Sequence, residues 1–297
     1  MVRPSTLAEA LAAKAERPDL LPVAGGTDVM VGMNFGRTRP PGLLDLRLLP
    51  GLAEWSTENG TVRLGAGVPY TRIIDELGDL LPGLAMASRT VGSPQIRNAG
   101  TVGGNLGTSS PAGDAHPPLL ASRATIEIAS VRGTRTVPVT EFFTGVKRNV
   151  LAEDELVTAV MLPSRPGPQQ FAKIGTRNAM VIAVCSFGLE LDVAHRRVGA
   201  AIGSASPTPR VTSEAEQYLT ETLVDGGLWD SRERLPGPVA RRFGDLVADA
   251  ASPVDDVRGS AAYRRHALAV LAARTLGWAW EDYRRDGRGE TETGGTS

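Results

Sequence analysis

The sequence predicts an α+β protein of two domains, and three features carry this prediction. Helical and strand patterns are interleaved over residues 1–164. The Pro- and Gly-rich segment 164–168 then interrupts the pattern. Beyond it, three strand-like stretches come before three helical ones, and this segregation is typical of the α+β class. We therefore expect domains over 1–164 and 169–285, followed by a disordered polar tail at 286–297.

The first domain opens with a predicted helix, a strand, a glycine turn and a second helix. Thr6 and Glu9 have the spacing of a capping box at the start of the first helix. Residues 20–24 form an apolar stretch typical of a short buried strand. Gly25-Gly26 ends that strand, and Thr27-Asp28 offers the side chains that cap a following helix.

The other predicted elements alternate along the chain. Glu58-Asn59-Gly60 and Arg132-Gly133 are turn sequences that predict two β-hairpins. Residues 92–114 show neither a helical nor a strand period, and we predict a long functional loop there. Further first-domain elements are expected at 43–46, 70–77, 80–90 and 155–162; in the second domain, antiparallel strands are expected at 171–175, 181–191 and 198–205, and helices at 212–222, 236–250 and 260–285.

The composition excludes several classes of protein. The 32 Lys and Arg residues nearly balance the 33 Asp and Glu residues, so the chain lacks the concentrated positive field of a nucleic-acid scaffold. One cysteine, Cys185, allows neither an internal disulfide framework nor an iron–sulfur cluster held by this chain. Gly, Pro or charged residues interrupt every apolar stretch, which predicts no membrane span. The amphipathic N-terminal segment does not resemble a signal peptide, so we expect a cytoplasmic protein.

The first candidate binding segment is Ala24-Gly25-Gly26-Thr27-Asp28. A strand that ends at two glycines before a helix presents unpaired backbone N–H groups, and these groups suit a phosphate. The segment lacks the Gly-Lys-Ser/Thr end of a Walker A loop and is not a G-x-G-x-x-G fingerprint. An ordinary left-handed turn in front of a capped helix is the alternative interpretation.

The second candidate segment runs from Gly100 to Asp114 and is rich in glycine, hydroxyl and amide side chains. Hydroxyls and amides suit phosphate oxygens and the edges of heterocycles, and a carboxylate suits sugar hydroxyls. The alternative is a glycine-rich surface loop, but Val102, Leu106 and Pro111 suggest that the segment is anchored. Two phosphate-competent segments in one domain indicate a dinucleotide.

Three further residues have both a functional and a structural interpretation. Lys173 lies on a predicted strand, where it is either a cation beside the ring of a bound cofactor or a solvated edge residue. His116 precedes two prolines and fits a helix start better than a catalytic pair. Cys185 lies among apolar residues and fits core packing better than a nucleophile.

These motifs together resemble the FAD-binding medium subunit of the molybdenum hydroxylases, the xanthine dehydrogenase and carbon monoxide dehydrogenase enzymes. The resemblance rests on Ala24-Gly25-Gly26-Thr27-Asp28, on residues 101–106 and on Ser110-Pro111-Ala112-Gly113-Asp114. Residues 253–260 and Tyr263-Arg264-Arg265-His266 resemble the small C-terminal domain of that subunit. The resemblance implies an FAD-binding domain of the PCMH type with two subdomains, followed by a three-stranded antiparallel sheet with a three-helix bundle.

The resemblance also assigns cofactor contacts to particular residues. Asp114 matches a carboxylate that bonds a cofactor sugar, and Lys173 matches a lysine near the isoalloxazine ring. Either Val160 or Met161 matches an apolar residue beside the flavin, and Met161 is the one we include. The two cofactor loops contribute Val23, Ala24, Gly25, Gly26, Thr27, Asp28 and Val29 from the first, and Thr101, Gly104, Asn105 and Thr108 from the second.

In such enzymes the medium subunit carries noncovalent FAD and no catalytic base of its own. The resemblance implies a small partner subunit with 2Fe-2S clusters, a large partner subunit with molybdopterin, and electron delivery to NAD, oxygen or another acceptor. One alternative is a stand-alone flavin oxidase, but residues 92–114 contain no histidine or cysteine that could tether a flavin. A non-enzymatic nucleotide-binding module is a second alternative. The substrate of the complex stays open.

Overall fold

The structure is a computed structural model that describes residues 1–165 and 167–292. Its first unit is a parallel pair of strands with two helices. Thr6 caps the first helix as predicted, and its hydroxyl accepts a hydrogen bond of 3.2 Å from the Glu9 amide. Val23 lies opposite Asp45 in the strand pair, so the segments that follow both strands meet at one sheet edge. The elements are α1 (Leu7–Glu16), β1 (Leu21–Val23), α2 (Val29–Asn34) and β2 (Leu43–Asp45).

The second unit is a five-stranded antiparallel sheet with helices packed on it. Its elements are β3 (Trp55–Glu58), β4 (Thr61–Gly65), α3 (Tyr70–Glu76), α4 (Pro82–Arg89), α5 (Pro94–Ala99), α6 (Val102–Thr108), α7 (His116–Ala121), β5 (Thr125–Ser130), β6 (Gly133–Pro138), α8 (Val139–Phe142), β7 (Phe143–Gly145), β8 (Arg148–Asn149) and β9 (Leu156–Pro163). The strand order is β3-β4-β9-β5-β6, and a separate apolar core fills the space beneath the helices.

The prediction of a long loop at 92–114 was wrong, because two short helices, α5 and α6, occupy much of this segment. The hydroxyl of Thr101 caps α6 by accepting a hydrogen bond of 2.9 Å from the Gly104 amide. Val102 and Leu106 lie four residues apart and are both fully buried, which is helical spacing. Glycines between them hid this spacing, because glycine is a poor helix former and carries no side chain.

The third unit packs a four-stranded antiparallel sheet against helices. The elements are β10 (Gln169–Ile174), β11 (Cys185–Asp192), β12 (Arg197–Gly203), β13 (Arg210–Val211), α9 (Ser213–Asp225), α10 (Leu228–Ser231), α11 (Gly237–Asp249) and α12 (Ala261–Glu292). The strand order is β10-β11-β12-β13, and the short edge strand β13 is added to the three strands that we predicted. The apolar residues 181–184 do not belong to β11, which begins at Cys185.

The second and third units are joined by a close contact between α7 and the strands β11 and β12. A Cβ atom at Gly188 would lie 2.7 Å from the Pro117 carbonyl carbon, so only glycine allows this approach. A Cβ at Gly199 would overlap the carbonyl of the same helix. Arg123 after α7 also forms an ion pair of 2.6 Å with Glu216 on α9. The third sheet is therefore held firmly against the second unit.

The C-terminal end differs in part from the prediction. The backbone of α12 continues to Glu292, so helix replaces the first part of the predicted disordered tail at 286–297. Residues 293–297 of that predicted tail lie outside the described residues. None of the helices in the described part of the chain is both long and apolar enough to cross a membrane.

Candidate functional site

A cavity of about 860 Å³ lies where the three units meet. This volume is near the upper end of the range for small-molecule sites, about 300–1,000 Å³. The wall includes residues from the loop after β1, the segment after β2, helices α5 and α6, the start of β9 and the connection before β11. Nine glycines contribute to it: Gly25, Gly26, Gly67, Gly92, Gly100, Gly103, Gly104, Gly107 and Gly113. Much of the wall is therefore backbone that a ligand can approach closely.

The loop after β1 forms one side of the cavity. Gly26 has φ of +72°, a left-handed conformation that favours glycine. Gly25 is required for a different reason, because a Cβ atom there would overlap the carbonyl oxygen of Ala99. The same Cβ would lie 2.9 Å from the Gly100 amide nitrogen, so the first predicted segment packs against the start of the second at Gly25. Of the first set of predicted contacts, residues 24–29 line the cavity and Val23 does not.

Helix α6 forms the facing wall and is tied to the first loop. The Thr108 hydroxyl donates a hydrogen bond of 3.1 Å to Oδ2 of Asp28. Gly104 is exposed to the cavity, and its missing Cβ would have only the Thr101 hydroxyl, at 3.2 Å, as a neighbour within 4 Å. All four predicted residues of this segment, Thr101, Gly104, Asn105 and Thr108, line the cavity. The structure thus brings the two segments together on one cavity.

Asp114 is a buried carboxylate at the cavity wall, and Lys173 is its ionic partner. Oδ2 of Asp114 accepts hydrogen bonds from Lys173 Nζ at 2.6 Å and from the Thr90 hydroxyl at 3.1 Å. Burial raises the pKa of Asp114, while Lys173 and Thr90 act in the opposite direction. Oδ1 makes no hydrogen bond within the described part of the chain. One oxygen of this buried carboxylate is therefore left without a hydrogen-bond partner among the described residues.

Lys173 does not line the cavity itself and is not the solvated edge residue of the alternative interpretation. Its side chain is 8 % exposed, and Nζ also donates to the Thr90 carbonyl at 3.2 Å. The lysine lies behind the carboxylate, where it compensates the buried charge. Its ammonium group therefore contacts Asp114 and Thr90 and does not reach the cavity wall.

The apolar residue predicted beside the flavin is not found at the cavity. Neither Met161 nor the alternative Val160 lines it; Val160 is fully buried in the core of the second unit. The strand contributes Leu156 and Val157 instead, because the start of β9 and not its end faces the cavity. Tyr70 and Arg47 also line the cavity, although no sequence pattern indicated them; Tyr70 begins α3 and Arg47 follows β2.

Neither histidine nor cysteine occurs among the described residues of the cavity wall. His116 is fully buried behind Gly113, with its ring 4.6 Å from that of Phe143, and burial lowers its pKa to about 4. Cys185 is buried in the core of the third unit, where burial raises its pKa to about 12. A flavin in this cavity would have no such side chain to tether it, and no metal-binding cluster occurs in the described residues.

Comparisons with known proteins agree with this architecture. Residues 1–165 match the model of the FAD binding domain in molybdopterin dehydrogenase, and residues 170–279 match the CO dehydrogenase flavoprotein C-terminal domain. The medium subunit of nicotine 6-hydroxylase from Paenarthrobacter nicotinovorans is 32% identical over 86% of this chain and 87% of its own length. The xanthine dehydrogenase FAD-binding subunit of Escherichia coli O157:H7 is 34% identical over 72% of this chain and 77% of its own length.

A solved structure shows the same fold over nearly the whole chain. The reconstituted CO dehydrogenase from Oligotropha carboxidovorans has a chain that matches with a TM-score of 0.85 and 25% identity, covering 94% of this chain and 96% of that one. The cavity residues fit FAD, because they offer two glycine-rich backbone segments, an unpaired Asp114 oxygen and sufficient volume. The chain belongs to the family of FAD-binding medium subunits of the molybdenum hydroxylases, the xanthine and CO dehydrogenase type of oxidoreductase.

Proposed function

We propose that this chain holds FAD noncovalently along the cavity and relays electrons within a complex of three kinds of subunit. The Thr108–Asp28 hydrogen bond carries this proposal, because it joins the two glycine-rich segments across one site. A dinucleotide needs such a pair of backbone surfaces, since its pyrophosphate bonds best to N–H groups that no side chain covers.

The residues of the site would divide the work of holding the cofactor. Residues 24–29 and Thr101, Gly104, Asn105 and Thr108 would contact it along the two segments. The unpaired Oδ1 of Asp114 would accept a hydrogen bond from a hydroxyl or ring N–H of the cofactor. Lys173 would place a positive charge behind that carboxylate. Val23 and Met161 lie outside this wall, and we assign Leu156 and Val157 the apolar contact.

The partners follow from the family. Bound FAD would supply the redox chemistry that couples one-electron donors such as 2Fe-2S clusters to a final acceptor. We propose that a small partner subunit carries the clusters, that a large partner subunit carries molybdopterin, and that NAD or another acceptor receives the electrons. This chain would orient the flavin and exclude water around it, while the substrate is bound in the large subunit.

The test separates electron relay from substrate oxidation. The complex is purified, its flavin is removed, and reduction of the clusters and of an acceptor is followed after substrate is added. We expect the clusters to be reduced in both preparations and acceptor reduction to require FAD. Acceptor reduction that persists at its full rate without flavin would contradict the relay. Substrate oxidation by this chain alone, with oxygen as acceptor, would favour the stand-alone oxidase instead.

A further inference from the structure

One arginine at the cavity wall is placed by the parallel strand pair of the first unit. Arg47 follows β2, and the Leu46 amide donates a hydrogen bond of 2.9 Å to the Val23 carbonyl at the end of β1. The segment that contains Arg47 therefore leaves the sheet at the same edge as the Gly25-Gly26 turn, and the two lie side by side. In sheets with parallel strands, this edge is where ligands bind.

A buried carboxylate fixes the guanidinium group of Arg47. Nε donates to Oδ1 of Asp45 at 2.9 Å and Nη2 donates to Oδ2 at 2.7 Å, so the contact is bidentate. The Asp45 side chain is 5 % exposed, and its hydrogen bonds with Arg47 lower its pKa to about 2. These contacts use two of the five N–H donors of an arginine. Because the side chain is still 56 % exposed, the remaining donors are accessible at the cavity.

The charge of the cavity wall makes this position unusual. Arg47 is the one lysine or arginine among the described residues that line the cavity, against the carboxylates of Asp28, Asp114 and Glu155. A second arginine, Arg3, lies 3.5 Å from Asp45, so two guanidinium groups share one carboxylate and one positive charge is left over. Lys173 pairs with Asp114 and Arg135 pairs with Glu155 from behind the wall, so Arg47 is the cation that the described wall itself presents to a pyrophosphate dianion.

This inference rests on the proposed FAD function. We propose that Arg47 binds the pyrophosphate group of FAD from the edge of β2, opposite the amides of the Gly25-Gly26 turn. Asp45 is then a positioning residue, since it holds the guanidinium plane before the cofactor arrives. The planar fork matches phosphate oxygens, and its orientation is set in advance.

The test compares two arginine variants of the full-length chain, each of which removes one guanidinium group from Asp45. FAD is titrated into flavin-free protein, and dissociation constants are measured at low and high salt. Arg47→Ala should weaken FAD binding about tenfold to a hundredfold, as expected for a lost charge-assisted hydrogen bond. Arg3→Ala, whose residue does not line the cavity, should stay within about twofold of wild type. Salt should weaken binding less in Arg47→Ala than in wild type.

The outcomes separate this assignment from the proposed function. Thermal unfolding of both flavin-free variants first establishes that each folds. Equal FAD affinity in Arg47→Ala and Arg3→Ala, with equal salt dependence, overturns the role of Arg47 alone. A wild-type chain that binds no FAD overturns the proposed function and this assignment with it. Arg47→Lys should recover part of the affinity, because lysine restores the charge but not the planar fork.

Discussion

Gly104→Ala should raise the stability of the flavin-free chain and lower its affinity for FAD. Gly104 lies within α6 and faces the cavity. The new Cβ would meet only the Thr101 hydroxyl, at 3.2 Å, and this hydroxyl must shift by a few tenths of an ångström to make room for it. The added methyl group would occupy space at the cavity wall that we assign to the cofactor.

The two expected effects have opposite signs. Alanine favours a helix over glycine by about 1 kcal/mol, so the flavin-free chain should unfold at a higher temperature. A cofactor pushed off this wall loses at least one polar contact with a charged group, worth about 1.5–3 kcal/mol. The dissociation constant for FAD should therefore rise about tenfold to a hundredfold.

Gly277→Ala provides the matched control. Gly277 lies in α12, and a Cβ there would have no neighbour within 4 Å. It should raise stability by a similar amount and leave FAD affinity unchanged. The assays are thermal unfolding of the flavin-free proteins and fluorescence titration with FAD. Unchanged affinity in a stabilised Gly104→Ala protein would refute our placement of the cofactor against α6.

Three other predictions concern buried groups. Asp114→Ala should weaken FAD binding. It should also lower the free energy of unfolding by about 3 kcal/mol, because it leaves the buried Lys173 ammonium unpaired. Chemical denaturation of the flavin-free proteins should show that adding Lys173→Met to Asp114→Ala restores stability. Burial raises the pKa of Glu190 from 4.5 to about 7, so the stability of the wild-type chain should fall as pH rises through this window. Glu190→Gln should be more stable than wild type at pH 8 by up to about 3 kcal/mol, and the two should differ little near pH 4.5. The buried Cys185 thiol should resist a thiol reagent in the native chain and react once the chain is unfolded; fast native reaction would contradict its place in the core.

The sequence predicts local features of this protein well. Thr6 caps α1 as predicted, because its hydroxyl bonds an amide three residues away and this spacing is visible in the sequence. Thr101 caps α6 in the same way, but neither this cap nor α6 was predicted. The two glycine-rich segments were predicted to bind a ligand because backbone exposure depends on residue type, and both line the cavity. Their meeting at one cavity was expected only from the dinucleotide argument and the family resemblance.

Features that depend on tertiary contacts could not be predicted. Arg47 lines the cavity because β1 and β2 pair in parallel. Such pairing depends on packing between residues that are distant in sequence, so it could not be read from the local pattern. Gly25 is needed for contact with Ala99, a residue 74 positions away, rather than for a phosphate alone. Met161, at the end of a strand, was expected beside the flavin from the resemblance, whereas Leu156 and Val157 at the start of β9 line the cavity, because tertiary packing decides which end of a strand faces it.

The central claim is that this cavity holds FAD without a covalent bond, and an absorption spectrum of the purified chain tests it most directly. The spectrum is recorded after incubation with FAD and removal of the excess, and again on the supernatant after acid precipitation. We expect flavin absorbance equivalent to one FAD per chain, all of which passes into the supernatant. A chain that retains no flavin, or flavin that stays with the precipitated protein, would contradict the account.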